Sequence, residues 1–163
     1  MAAKLVFPMQ NNFGQGNEQG ICTCSALTWA RKTLQLGRGL SAYSELGLDS
    51  HTMNVQMAVL RKYDSEPQKQ CELARLEMIG TEKTIASIDD IPRLVKGTAP
   101  HIAIFWTQTH TMGYRYAHHE KEFFDVEVGL FRAKYTKEIK AKMTEIIANY
   151  GAVKGLRLVK LLA

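Results

Sequence analysis

Three side chains in this sequence are of types that share a known kind of chemistry: Cys22, His110 and Asp125. Cys22 stands where "QNNFGQGNEQG" (residues 10–20, three glycines and six Asn or Gln) gives way to a helical pattern. A helix N-terminus presents free N–H groups and the positive end of the macrodipole, which together favour a thiolate and donate to an oxyanion. A nucleophilic cysteine needs a base, normally a histidine, and that histidine needs a carboxylate or amide to orient it. His110 opens the strand-like run "HTMGYRY", and Asp125 closes "EFFD", 15 residues later. Antiparallel neighbours joined through "AHHEKE" place the start of one beside the end of the other. An acid after two phenylalanines is also unusual for a solvated position.

Each residue has an ordinary structural use as well: a small buried thiol, a satisfied strand histidine, a turn aspartate. Of the other histidines, His101 begins the preceding strand and is the alternative base, while His118 and His119 fall in a turn. Cys22-x-Cys24 with His118-His119 supplies four potential metal ligands, but zinc sites use C-x₂₋₄-C spacing, so the pattern argues against metal. Cys24 is expected to point into the core, Cys71 to be a buried helix residue and Trp29 to pack beneath the helix of Cys22.

The elements that must position these residues follow from periodicity. "LVFPMQ" reads as a short strand or extended lead-in. From Cys22 to about Leu36, Leu27, Ala30 and Leu34 share a helix face, and Gly37 stops it. "SAYSEL" suits a helical turn, Asp49 caps a helix to about Tyr63, and Pro67 starts another through Ile79. "SIDDIPRLVKG" suits a short helix ended by Gly97. Then "HIAIFWTQ", "HTMGYRYA", "EFFDVEV" and "LFRAKY" form an antiparallel meander, followed by a helix from about Lys137 to Tyr150 and a last strand, "GLRLVKLL". A mostly helical first 97 residues followed by a sheet predicts an α+β fold of two layers, a helical N-terminal half packed on an antiparallel β-sheet.

Composition sets outer limits. The 163 residues suit a single domain, 1–163, and 45% hydrophobic with 23% charged residues is ordinary globular material. Three cysteines make no disulfide framework and fit a reducing compartment. The start, "MAAKLVFPMQNN", is a poor secretory signal, so the expected location is cytoplasmic, with export by a signal-less route left open. The net charge of +5 is concentrated late, in "RAKYTKEIKAKMTE" and "VKGLRLVK", and suits a solvated helix face. No nucleic-acid motif accompanies it; contact with a membrane surface is only weakly supported.

The motifs resemble those of the YopT/AvrPphB-type cysteine protease family. Gly20, Cys22 and Trp29 are similar to its Gly-x-Cys with Trp seven residues on. His110-Thr111-Met112-Gly113 is similar to its strand-opening His. Phe123-Phe124-Asp125 with Gly129 and Phe131 is similar to its Phe-Phe-Asp block. The resemblance implies a papain-like fold, a peptidase with Cys22 as nucleophile, His110 as base and acid, and Asp125 as orienter. It also implies a side-chain amide in the oxyanion hole beside the Cys22 N–H: Asn17, with Gln15 and Gln19 as alternatives. It implies no cofactor or metal, a protein or peptide substrate, and a role as bacterial effector or toxin that an inhibitor or immunity protein would restrain. Two positions depart from the family: Glu127 stands where an asparagine is usual, and Thr23-Cys24-Ser25 replaces a glycine after the nucleophile. Two other functions fit the same residues, an NlpC-type peptidoglycan peptidase or amidase and a non-enzymatic interaction protein on the same scaffold.

Overall fold

The computed structural model describes residues 2–8, 18–36, 65–95, 102–117 and 119–162. The elements are β1 (Lys4–Pro8), α1 (Glu18–Leu36), α2 (Pro67–Leu73), β2 (Leu76–Thr84), α3 (Asp90–Val95), β3 (Ile102–Thr107), β4 (Thr111–Ala117), β5 (Glu120–Asp125), β6 (Gly129–Ala133), α4 (Thr136–Ile147) and β7 (Val153–Leu161). The seven strands of the described residues form one sheet, ordered β1-β6-β5-β4-β3-β7-β2, and each of these pairings is antiparallel. The meander β3 to β6 is as expected from its short, aromatic and β-branched runs. The expected helices over 41–63 lie outside the described residues.

The sheet is covered on both faces, so the described residues form three layers rather than the two expected. Side chains alternate along a strand, and here both phases are apolar. Ile102 and Ile104 of β3, Phe124 of β5 and Val159 of β7 share a core with Cys22, Ala26, Leu27, Trp29 and Ala30 of α1 and Cys71 of α2. The intervening Ala103 and Phe105, Phe123, and Leu156 and Leu158 pack with Ile91 of α3 and Ile139, Met143 and Ile147 of α4. The lysines of α4 remain at the rim; Lys140 pairs with Asp89 and Lys142 with Glu145.

The first half of the chain also contributes strands. The helix begun by Pro67 ends at Leu73, because Arg75 adopts a left-handed φ of 62°. Residues 76–84, partly expected to be helical, instead pair with β7 as an edge strand. β7 is inserted between β3 and β2.

One contact fixes α1 on the sheet. The Trp29 ring lies on Gly113 of β4 so closely that a Cβ there would overlap it, with Cε3 at 2.7 Å. The same ring stacks on Phe124 of β5, centroids 5.2 Å apart and planes 8° from parallel. Trp29 is fully buried, the core role expected of it. Gly113→Ala is therefore expected to lower stability by about 1–3 kcal/mol through overpacking. The urea midpoint of the variant measures this, and combination with Trp29→Leu should cost less than the sum of the two single changes.

Candidate functional site

The site forms where α1 meets the adjacent ends of β4 and β5. Helix α1 begins at Glu18, four residues before the expected start, so Gly20 is helical and Cys22 is the fifth residue rather than the first. In a regular helix the Cys22 N–H is then committed to the carbonyl four residues back, and the free amides are those of the first turn. The Cys22 side chain, 1% exposed, points to the sheet, where the Thr111 N–H donates to its Sγ at 3.2 Å. Next to it the hydroxyls of Thr23 and Thr111 are hydrogen-bonded at 3.0 Å, joining α1 to the start of β4.

His110 sits immediately before β4, at the end of the tight turn from β3. The Thr107 N–H donates to the His110 carbonyl at 2.9 Å, and the Thr109 N–H to the Thr107 hydroxyl at 3.3 Å. The register pairs Gly113 with Phe124, which brings this turn beside the end of β5. There the Nε2 of His110 lies 2.6 Å from Asp125 Oδ1. An ionised carboxylate only accepts, so Nε2 is assigned the proton, and the hydrogen bond of the imidazole with Cys22 falls to Nδ1. Sequence order and strand ends thus bring Cys22, His110 and Asp125 into one chain of contacts.

Asp125 has no exposure, and its carboxylate is held on both oxygens. Oδ1 also accepts from the Glu127 N–H at 2.9 Å, while Val128 N–H closes the turn onto the Asp125 carbonyl at 3.0 Å. The turn use and the partner use of this aspartate coexist. Position 127 serves Asp125 through its main chain. Oδ2 accepts from the Tyr150 hydroxyl at 2.7 Å, and the Tyr150 ring stacks on the His110 imidazole with centroids 4.0 Å apart. Tyr150 was expected only as the end of a helix; α4 stops at Ile147, and the tyrosine belongs to the turn after it. Its one sequence signal was an aromatic just before Gly151.

Burial alone would lower the proton affinity of His110, but hydrogen bonds and charge from Asp125 and Cys22 override it and raise the imidazole from 6.5 to about 9. The arrangement can hold a proton on His110 next to the thiol and deliver it to a bound group. His119 is exposed. Asn17, Gln15, His51, His101 and His118, and the side chains of Gln19 and Cys24, lie outside the described residues. Among the described residues no group of three or more His, Cys, Asp or Glu is placed to hold a metal ion.

No protein-family model and no curated protein sequence matches the chain. Solved structures do match. The avirulence protein AvrPphB of Pseudomonas is 15% identical with a TM-score of 0.58, over 99% of this chain and 97% of that one. PatoxP, a cysteine protease-like domain of the Photorhabdus asymbiotica toxin PaTox, is 14% identical with a TM-score of 0.61, over 96% of this chain and 54% of that one. The chain shares the fold of these proteins, as the motif resemblance implied; among its described residues the first half adds the strands β1 and β2 to its helices.

A group whose folded affinity for protons is raised stabilises the fold fully below its unfolded value and loses that contribution as pH rises through the folded value. For His110 the window runs from 6.5 through about 9. Unfolding free energy is expected to fall by about 3 kcal/mol across it. Urea titrations at successive pH values measure the fall, which should be much smaller in Asp125→Asn.

Proposed function

We propose that the chain is a papain-like cysteine peptidase of the YopT/AvrPphB type, an effector or toxin that cleaves a peptide bond in a host or competitor protein. The observation that carries this is the contact chain Cys22–His110–Asp125, with a main-chain donor aimed at the sulfur. A thiol beside an imidazole of raised proton affinity can pass its proton to that ring, and the Thr111 N–H stabilises the sulfur charge that results. The shared fold with an avirulence protein and a domain of a toxin supports the effector or toxin role.

In this mechanism the thiolate attacks the substrate carbonyl carbon, and the carbonyl π-electrons move onto oxygen. The Asn17 carboxamide and a main-chain N–H at the start of α1 hold the oxyanion. The tetrahedral adduct collapses, the C–N bond breaks, and His110 gives its proton to the leaving amine. His110 then takes a proton from water, hydroxide attacks the thioester, and the acid product leaves with return of the thiolate–imidazolium pair. Asp125 keeps Nε2–H engaged so that Nδ1 faces the sulfur throughout. The chemistry calls for no metal or cofactor.

Mapping new protein termini in cells that express the wild type or Cys22→Ala tests this reading. New termini are expected only with the wild type. On a substrate found this way, Cys22→Ala should lose about 10³-fold or more in kcat, and Asn17→Ala about 10²-fold with little change in KM. The alkaline limb of the pH profile should fall near 9, where His110 gives up its proton. Full turnover by Cys22→Ala overturns the proposal.

A further inference from the structure

Tyr150 makes two contacts with the site, in addition to packing against the core beside α4. Its hydroxyl donates to Asp125 Oδ2 at 2.7 Å, and its ring lies against the His110 imidazole, 4.0 Å between centroids and 22° from parallel. The backbone delivers it there by a defined route. Past the end of α4, the Tyr150 N–H bonds to the Ile147 carbonyl at 2.8 Å, and Gly151 takes a left-handed φ of 98° before β7 begins. The Thr109 hydroxyl donates to the Tyr150 carbonyl at 3.5 Å, tying this turn to the turn that carries His110.

The two contacts solve different problems. Oδ1 of Asp125 already accepts from His110 and from the Glu127 N–H. A carboxylate held through one oxygen can still rotate about its Cβ–Cγ bond, and an unmatched Oδ2 in a site with no exposure is costly. The tyrosine hydroxyl satisfies Oδ2 and fixes the carboxylate plane. The ring covers one face of the imidazole, restricts its rotation and keeps water from the His110–Asp125 bond. An aromatic face over an imidazolium also favours the charged ring.

We infer that Tyr150 is a positioning residue of this site, which locks the Asp125 carboxylate with its hydroxyl and caps His110 with its ring, so that the imidazolium is held with Nδ1 toward Cys22. The inference rests on the proposed peptidase mechanism for its catalytic meaning but not for its geometry. Burial and the neighbouring Asp125 charge hold the phenol above its ordinary range, which keeps it a donor at any working pH.

The test follows the His110 ring by NMR titration in the folded full chain, for wild type, Tyr150→Phe and Tyr150→Leu. Tyr150→Phe keeps the ring and removes only the hydroxyl. Its His110 midpoint is expected to fall by about one pH unit from that of the wild type. On a cleavable substrate, kcat should drop about tenfold with KM unchanged, and the alkaline limb should move with the midpoint. Tyr150→Leu should lower the midpoint further and speed exchange of the ring N–H. If Tyr150→Leu does not fold, Tyr150→Phe decides. In the wild type, the capped His110 Nε2–H should give a slowly exchanging downfield proton resonance. Absence of that resonance, or a wild-type midpoint in both folded variants with only their melting temperatures lowered, overturns the inference. A shifted midpoint in a protein that cleaves nothing supports the positioning role and sinks the peptidase reading instead.

Discussion

The site depends on the contact of one indole ring with two strands. Trp29 lies seven residues after Cys22, two helical turns and about 10 Å along α1 on the same face. Gly113 lies three residues after His110, and Phe124 immediately precedes Asp125. The three segments that carry Cys22, His110 and Asp125 therefore each carry a packing residue, and the packing residues touch one another. Because Gly113 has no side chain, the indole approaches the β4 backbone directly, and α1 comes close enough for Sγ to receive the Thr111 N–H. Any larger residue at 113 would lift the helix and separate thiol from imidazole.

Among the described residues two carboxylates are fully buried, and one of them is the exception to arginine pairing. Glu122 is fully buried in the row Arg115–Glu122–Arg132 across β4, β5 and β6, and both arginines bond it. Arg157 bonds Gln70 and Glu82. Arginine partners stay charged at every pH of interest, so those networks are permanent struts. Asp125 is equally buried, but its ionisable partner is a histidine. The exception is where the structure keeps a proton that can move, and the same low polarity that makes the pair costly makes its proton strongly held.

Much of this was legible in the sequence, and the failures have physical causes. The meander, the strand-opening His110 and the strand-closing Asp125 were readable because short apolar runs separated by polar turns leave little choice of pairing. The third layer was also written there: "IAIF" is apolar in both phases, and a strand of that kind is covered on both sides. β2 was hidden because local pattern does not show a left-handed Arg75, and the strand gains its stability from β7, some 80 residues away. The early start of α1 was masked by glycines and amides that read as loop. Tyr150 could not be found by spacing, since its place at the site comes from the turn after α4 docking beside the β3–β4 turn.

The position of β7 has a consequence for how the molecule comes into being. It is the last in sequence of the seven described strands, yet it sits inside, with β3 on one side and β2 on the other, and it also contacts α1. While residues 153–161 remain on the ribosome, β3 has an open edge, β2 has no partner, and the support beneath α1 is incomplete. Tyr150, just upstream, emerges only shortly before. Translation itself is thus a timer, and the thiol and imidazole acquire their final geometry only after residues 153–161 have left the exit tunnel.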